Sequence, residues 1–273
     1  MLLSLRDRYC VALRPDGVAL LRRRRGTPAV DLKGFIACAP AEEGPAWGPA
    51  VETLKRFAAR PETSPGDLWV VLSNNFVRFQ LLPWNGELAS AEEMQNFAVA
   101  AFENVYGETA AAWEVRVSPE KAGAPRIASA VDRALPDALK EAVSGTNLRL
   151  VSAQPYLMTA FNALTKPFRS RDFIFLLVEP GRAGLLAAVD QQWRSVRTVG
   201  MEDGAEAMAA LIEREIHLSQ LDDNVPAILV HAPHRTGLLI NPVGGVAPRV
   251  LELKAAPGFS PVADTQYAMA AAV

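Results

Sequence analysis

The chain has 273 residues, half of them apolar and about a fifth charged, with a formal net charge of −2. This composition is typical of a soluble globular protein with one large domain or two small ones, and the charge gives no reason to expect a nucleic-acid partner. No run approaches the roughly 18–20 apolar residues that span a bilayer, and residues 1–5 are too few for a signal-peptide core. Cys10 and Cys38 fall in predicted strands and are interpreted as small buried residues. We therefore expect a cytoplasmic protein.

The N-terminal segment predicts three strands, a helix and a fourth strand. Apolar runs over 9–13 and 18–21 flank Pro15-Asp16-Gly17, which predicts a hairpin whose glycine supplies the unusual backbone angle. A third strand is predicted over 30–37. Apolar residues at helical spacing over 47–58 predict a helix, and the run 68–72 indicates a buried strand.

Arg22, Arg23, Arg24 and Arg25 form the one dense run of charge. The simpler interpretation is a solvated strand end and turn. The alternative is a contact with anionic lipid headgroups or with an acidic partner surface, because each arginine near an anionic membrane contributes about 1 kcal/mol.

The segment 69–82 predicts a further hairpin. Asn74 and Asn75 would form its tight turn, since asparagine tolerates positive backbone angles. Arg78 and Gln80 alternate with apolar residues beyond that turn, which predicts a strand with one wet face.

Ser90-Ala-Glu-Glu93 is a capping box that opens the next predicted helix, and Gly107 ends it. The apolar stripe of this helix is interpreted as core and comprises Met94, Phe97, Ala98, Ala101, Phe102 and Val105. A strand pair over 113–117 and 126–131, a helix over 134–143, a strand over 148–152 and a helix opened by Pro155 follow. Residues 76–117 are interpreted as an insertion.

Residues 173–200 predict three more strands. A continuous apolar run ends at Pro180-Gly181 and indicates a strand buried on both faces, and Asp190-Gln191-Gln192 separates the next two runs. A helix over 205–216 and a strand over 227–230 complete the same order as at the N-terminus. This repeat predicts a duplicated α/β protein with two lobes, residues 1–167 and 168–273.

Four segments carry a resemblance to a known family: Val71–Arg78, Leu82–Trp84, the predicted helix from Ala91 to Gly107, and Trp113–Val115. Together they resemble the actin-like assembly proteins of bacterial inner-membrane platforms. These are type IV pilus proteins of the PilM kind, haemagglutinin pilus proteins of the MshI kind and the cytoplasmic domain of type II secretion GspL proteins. The resemblance implies the actin-like, ribonuclease H-like fold, in agreement with the duplicated pattern.

The resemblance also implies a test of chemistry, because actin-like ATPases hold phosphates on two glycine-containing hairpin turns, each with an aspartate that orients Mg²⁺. The first turn here has Asp16 and Gly17, but its proline lacks an N–H and it has no Ser or Thr. The second has Glu179 in place of aspartate, then Gly181, then Arg182 where a small hydroxyl residue is expected.

On the adenine side, the Gly-Gly expected after the strand 228–230 is replaced by His231-Ala-Pro, and Gly244-Gly245 is interpreted as a turn. We therefore expect degenerate nucleotide loops, no cofactor and no catalytic residue. The alternative is a protein that binds or hydrolyses ATP with Mg²⁺, because Glu179-x-Gly181 is retained and Arg182 suits phosphate oxygens.

Platform proteins of this kind capture the short N-terminal cytoplasmic segment of a single-pass membrane partner, so the resemblance implies such a partner here. The candidate contact residues are Phe76, Arg78, Gln80, Met94 and Phe97. A peptide could add to the strand edge, or the insertion could only complete the core. The resemblance also makes an assembly ATPase, peripheral contact with the inner membrane and an oligomer candidates.

His231 and His234 are three residues apart without a nearby cysteine. A metal site needs three or four converging ligands, so they are interpreted as loop histidines and no metal is predicted.

Overall fold

The computed structural model describes residues 6–88, 90–166 and 172–273. The strands are β1 (Asp7–Arg14), β2 (Gly17–Arg23), β3 (Val30–Ala37), β4 (Gly66–Leu72), β5 (Arg78–Leu82), β6 (Trp113–Val117), β7 (Arg126–Asp132), β8 (Leu148–Pro155), β9 (Phe173–Glu179), β10 (Arg182–Val189), β11 (Gln192–Gly200), β12 (Ala227–His231) and β13 (Arg249–Val250). The helices are α1 (Gly48–Ala58), α2 (Ala91–Tyr106), α3 (Ala134–Val143), α4 (Tyr156–Leu164), α5 (Ala205–Leu218) and α6 (Ala268–Ala271), with 3₁₀ turns at 107–112 and 265–267.

Two five-stranded sheets repeat one topology. The first has the order β3-β2-β1-β4-β8 and the second the order β11-β10-β9-β12-β13. In each, the first three strands pair antiparallel and the last two join parallel to the first strand or its neighbour. A helix, α1 or α5, precedes the fourth strand of each sheet. The predicted duplication of strand-strand-strand-helix-strand is thereby confirmed.

A third, smaller sheet has the antiparallel order β5-β7-β6 and is covered by α2. Its core contains Leu82, Ala98, Phe102, Val115 and Ala128. This sheet lies in the chain between β4 and α3, where the insertion into the first copy was predicted. Its three strands show that the inserted segment continues beyond residue 117 to β7.

The chain divides into two compact units. Among the described residues, one contains 6–76, 134–164 and 252–273, and the other contains 77–88, 90–133, 165–166 and 172–251. The repeat in the sequence predicts two lobes that are each continuous in sequence. The division differs from this prediction, because the inserted segment groups with the second five-stranded sheet and the C-terminal residues group with the first. The predicted boundary between residues 167 and 168 lies outside the described residues.

The predicted hairpin over 69–82 is wrong. β4 pairs in parallel with β1 and β8, whereas β5 pairs with β7 in a different sheet. The two asparagines follow β4 in the chain, and the Oδ1 of Asn74, which is 1% exposed, accepts a hydrogen bond from the Leu157 N–H in the first turn of α4 at 3.3 Å. Asn74 therefore caps a helix that lies far along the chain.

The apolar stripe of α2 is core over only part of its length. The capping box at Ser90 and Glu93 is confirmed, and Gly107 ends the helix with a φ of +63°. Ala98 and Phe102 are buried, whereas the Val105 residue is 64% exposed. Val105 therefore faces away from the small sheet, whereas Tyr106 in the same turn packs on the Trp113 ring of β6 with the ring centroids 4.9 Å apart.

Cys10 is buried in β1, whereas Cys38 is half-buried just beyond β3 and not within it; both are free thiols. Burial raises the pKa of the Cys38 thiol. Within the described residues, no helix has both the length and the apolar character needed to cross a membrane.

The C-terminal segment returns to the first sheet and closes its unit. The Val30 N–H at the start of β3 donates to the Pro257 carbonyl at 2.8 Å, and the Lys33 Nζ lies 2.8 Å from Asp264 Oδ1. Gly258 has a φ of +77°, and a Cβ there would lie 2.0 Å from the Val30 carbonyl oxygen. This close approach allows only glycine.

We expect Gly258→Ala to lower the free energy of unfolding by at least about 1 kcal/mol more than Gly44→Ala. Gly44 has the same φ of +77° with nothing within 4 Å of its Cβ position, so both variants carry the left-handed penalty of roughly 1–2 kcal/mol and only one adds a clash. Urea denaturation of both variants measures the difference. Equal losses of stability would show that the C-terminal segment does not dock on β3 in this way.

Candidate functional site

The turn between β1 and β2 occupies the position of the first predicted phosphate loop. Arg14 and Gly17 are paired across it, so Pro15 and Asp16 form the turn itself. Arg14 donates from Nε and Nη2 to the two carboxylate oxygens of Asp16 at 2.9 and 2.6 Å. Both oxygens of the one carboxylate in this turn are therefore engaged by a guanidinium of the same hairpin.

Gly17 is required for a different reason from the predicted one. Its φ is not in the positive region, which corrects the prediction that it supplies an unusual backbone angle. A Cβ on Gly17 would instead lie 2.6 Å from Phe35 Cζ and 2.8 Å from the Ile36 carbonyl oxygen of β3. The neighbouring strand thus excludes any side chain at this position.

The turn between β9 and β10 is the counterpart in the second sheet. Glu179 and Arg182 are directly opposite, and Gly181 has a φ of +73°, as the proline-glycine pair of a type II turn requires. Glu179 is buried, and the Arg182 guanidinium donates to Thr198 Oγ1 at 3.3 Å. Burial and the charge of Arg78 lower the pKa of Arg182, against the opposing effect of Glu179.

These two turns fit a magnesium-bound phosphate poorly. The first offers a proline without an N–H and a carboxylate already held in two hydrogen bonds. The second presents a half-buried guanidinium at the position where the resemblance implies a small hydroxyl residue. No described group of three His, Cys, Asp or Glu side chains could hold a metal ion. We derive no nucleotide chemistry from this arrangement.

The adenine-side segment also differs from a nucleotide loop. Gly244 and Gly245 have φ values of +55° and +79° and form a two-residue turn closed by reciprocal hydrogen bonds between Val243 and Val246, which confirms the predicted turn. His231 ends β12 and is buried. Its Nδ1–H donates to the Leu251 carbonyl at 2.8 Å. His234 contacts Asp203 at 3.3 Å and does not converge with His231 on a shared ligand.

The candidate partner residues differ in their burial and in their contacts. Phe76 is buried, and Gln80 donates to the Ala101 carbonyl of α2 at 3.0 Å, so its side chain is not on a wet face. The Arg78 guanidinium donates to the Val77 carbonyl, and β5 lies beside β11. Peptide addition at the edge of β5 stays a prediction. Met94 and Phe97 are half-buried against the core of the small sheet.

Met94 lines a groove that sequence reasoning did not find. The groove has a volume of about 480 Å³ and lies between the start of α2 and the end of β6. Trp84 is 41% exposed on its wall, and the Arg126 guanidinium lies 6.0 Å from the centroid of that ring. Arg126 Nε is buried without a hydrogen-bond partner among the described residues. The groove thus combines an apolar wall with an unsatisfied donor.

The arginine run divides into two pairs. Arg22 makes two hydrogen bonds to Asp31 at 3.1 and 2.7 Å, and Arg24 makes one at 2.7 Å. The hydrogen bonds from Arg22 lower the pKa of Asp31. Arg23 and Arg25 form no ion pair with the described residues, and both line, together with Arg24, a groove at the edge of the first sheet. The simpler interpretation of a solvated strand end therefore holds for Arg22 and Arg24 only in part, since both are ion-paired.

The topology and the two turns define the class of protein, a duplicated α/β protein with the actin-like ATPase fold. The chain is similar to the cytoplasmic domain of EpsL, an inner-membrane component of the type II secretion system of Vibrio cholerae. That similarity has a TM-score of 0.60 at 12% identity and covers 97% of this chain and 94% of that one.

It is also similar to the PilM–PilN type IV pilus biogenesis complex, with a TM-score of 0.57 at 12% identity over 82% of this chain and 80% of that one. A Bacteroides thetaiotaomicron protein of unknown function with an actin-like ATPase fold gives a TM-score of 0.53 at 12% identity, over 84% and 82% of the two chains. No protein-family model matches the chain, and no curated protein matches its sequence. At this identity the likenesses establish the fold, as predicted from the resemblance.

Burial gives His231 a measurable signature. Burial lowers its pKa from the ordinary 6.5 to about 4. Between these values the unfolded chain binds a proton that the native chain does not bind, so stability falls as pH drops from about 7 towards 4. A difference of about 2.5 pKa units corresponds to roughly 3 kcal/mol.

We expect His231→Asn, which keeps a donor for the Leu251 carbonyl, to remove most of this acid loss of stability. The matched control is His217→Asn, because it makes the same substitution at an exposed histidine on α5 and leaves the buried His231 in place. Urea unfolding at pH 7, 6, 5 and 4.5 measures the effect. An unchanged slope in the His231→Asn variant would contradict a neutral buried imidazole.

Proposed function

We propose that this chain is a cytoplasmic, non-catalytic component of a type IV pilus or type II secretion inner-membrane platform, and that it binds the cytoplasmic segment of a membrane partner. The observation that carries the proposal is the contrast between a whole actin-like fold and phosphate turns with unsuitable side chains. Arg14 engages Asp16 in the first turn, and Arg182 takes the position of a hydroxyl residue in the second.

The likenesses support the same role. EpsL is an inner-membrane component of a secretion system, and PilM forms a pilus biogenesis complex with PilN. A complex of that type suggests that a membrane protein's cytoplasmic segment is the partner of this chain. Association with the inner membrane through that partner, contact with an assembly ATPase and formation of an oligomer belong to the same proposal.

An ATP-binding protein with unconventional turns is the second candidate. The observation in its favour is that both turns keep the hairpin geometry of a phosphate loop, with Gly181 at positive φ. Against it, the Arg182 guanidinium is half-buried and bonded to Thr198, so a phosphate would have to compete with an existing partner.

We expect no saturable stabilisation by ATP and Mg²⁺. A ligand at about a hundred times its dissociation constant raises the free energy of unfolding by roughly 2.7 kcal/mol, which a thermal-shift titration readily detects. The titration extends to millimolar ATP, with magnesium sulfate at matched ionic strength as the control. A saturable rise in Tm with ATP and Mg²⁺ that the magnesium sulfate control does not show would favour the second candidate over the non-catalytic proposal.

The groove beside α2 is the better-supported partner surface within the proposal. Trp84 and Met94 offer apolar contacts, and Arg126 offers a buried donor without a partner among the described residues. Arg116 lies at the rim, where its guanidinium meets Glu114 at 2.5 Å. A segment with one or two apolar anchors and an acidic residue fits this combination, because buried donors discriminate strongly between partners.

We expect Met94→Glu to weaken capture of the partner segment at least tenfold, or by about 1.4 kcal/mol, because it places a charge in the apolar part of the groove. The matched control is Val105→Glu, which adds the same charge to the exposed end of the same helix. The probe is the cytoplasmic head of the single-pass protein encoded next to this chain, measured by calorimetric titration. Equal affinity of both variants would remove this groove from the interface.

A further inference from the structure

A groove at one edge of the first sheet is lined by five arginines. Its volume is about 450 Å³, and its lining comprises Arg6, Arg8, Arg23, Arg24, Arg25, Gly26, Thr27, Pro28 and Ala256. We call it the arginine groove. The whole chain has a net charge of −2, so this concentration of positive charge is a local feature and not a consequence of composition.

The register of β1 and β2 forces two of these charges together. Arg8 and Arg23 are directly opposite in the antiparallel ladder, so their side chains leave the same face of the sheet. Like charges in this position destabilise a strand pair. Arg8 and Arg23 form no ion pair with any described residue, and Asp67, the neighbour of Arg8 on β4, is itself paired with Arg149 and Arg6. A bound anion would reduce the repulsion between the two guanidiniums.

The nearby carboxylates are already engaged by other groups. Asp31 accepts from Arg22 and Arg24. Asp67 is held by Arg149 at 2.8 Å and by Arg6 at 3.4 Å.

Asp7, the third acid of this edge, accepts hydrogen bonds from the Arg25 backbone N–H at 3.0 Å and from the Ser64 hydroxyl at 2.7 Å. The Arg25 guanidinium itself is in no ion pair with the described residues. Three guanidiniums, those of Arg8, Arg23 and Arg25, therefore face the groove without a carboxylate.

Arg8 is held in place before any ligand arrives. Its guanidinium lies 4.4 Å above the centroid of the Trp69 ring, and its Nε is buried without a hydrogen-bond partner in the described part of the chain. A guanidinium stacked on an aromatic ring keeps its in-plane N–H groups available as a fork, which matches the oxygens of a phosphate. The fork is therefore pre-organised, which reduces the entropy lost on binding.

The arginine groove is distinct from the phosphate turns of the fold. It lies at the start of β1, whereas the Pro15-Asp16 turn follows the end of that strand, about 20 Å away at 3.3 Å per residue. Every residue that lines the groove belongs to one compact unit.

We propose that the arginine groove binds a phosphate group, carried either by an anionic lipid headgroup or by a soluble molecule. Each phosphate offers several acceptor oxygens to the three guanidiniums, and the bidentate geometry favours it over a single carboxylate. A peptide carboxylate would satisfy at most one fork.

The test compares three variants of the full chain. Arg8→Gln/Arg23→Gln/Arg25→Gln removes the three guanidiniums of the groove that have no carboxylate partner. Arg8→Lys/Arg23→Lys/Arg25→Lys keeps the charge and loses the forks. The control, Arg60→Gln/Arg194→Gln/Arg214→Gln, removes the same charge from exposed positions elsewhere. The probes are inorganic pyrophosphate, vesicles of phosphatidylglycerol in phosphatidylcholine, and vesicles of phosphatidylcholine alone.

We expect binding to at least one phosphate probe at low salt, a loss of tenfold or more in the glutamine variant, a loss of several-fold in the lysine variant and a change below twofold in the control. If pyrophosphate displaces the chain from anionic vesicles, the result supports a shared phosphate site. If the chain binds the phosphatidylglycerol vesicles but not pyrophosphate, the result supports a lipid headgroup. Equal losses in groove and control variants would overturn the proposal, as would full binding by the lysine variant. A hexaglutamate peptide serves as a further probe. If the chain binds this peptide and binds neither phosphate probe, the proposal is overturned in favour of an acidic segment.

Two variants distinguish a failure of the phosphate proposal from a failure of the scaffold proposal. Met94→Glu should leave pyrophosphate and vesicle binding unchanged, and the glutamine variant of the arginine groove should leave capture of the partner's cytoplasmic head unchanged.

Discussion

The central strands β1 and β9 are buried on both faces, and this constraint organises each five-stranded sheet. All seven residues of β9 are buried, and so are five consecutive residues of β1. Such strands need neighbours on both edges and cover on both faces, because unpaired backbone groups and apolar side chains are costly in the interior. Antiparallel hairpins provide one edge, and the parallel strands β4 and β12 provide the other. The turns at the ends of the central strands are therefore fixed in position whatever side chains they carry.

Patterns that depend on neighbours in sequence predicted the fold well. The run 173–200 predicted β9, β10 and β11, and its polar break is a turn in which Asp190 and Gln191 have positive φ. The hairpin over 69–82 failed because two apolar runs joined by asparagines look alike whether the chain turns back or leaves for another sheet. Asn74 accepts its hydrogen bond from Leu157, which is 83 positions away in the chain, so a pattern of neighbouring residues cannot predict this contact.

The candidate sites were less predictable because they depend on register and on segments far apart in sequence. The run 22–25 indicated the correct strand end, but the pattern of charge offered no reason to distinguish the four arginines from one another. The pairing of β2 with β1 and β3 separates them, since Arg22 meets Asp31 and Arg23 faces Arg8. The groove beside α2 combines residues 84–95 with residues 116–126, and only the folded small sheet brings these together. The hairpin register of β1 and β2 could have predicted the Arg8–Arg23 pair.

In an actin-like fold, a substitution in a buried strand lowers the free energy of unfolding far more than a substitution in an exposed turn. The strands can therefore persist while the side chains of the turns change. A large-to-small substitution in β9 would leave a cavity and cost about 2–5 kcal/mol. Asp16 has a side chain that is 57% exposed, and exposed turn positions tolerate substitution with changes usually within about 0.5 kcal/mol. Exposed turn side chains can therefore change at little cost in stability, whereas the buried strands cannot. The ion pair between Arg14 and Asp16 is ordinary surface chemistry at such an exposed position.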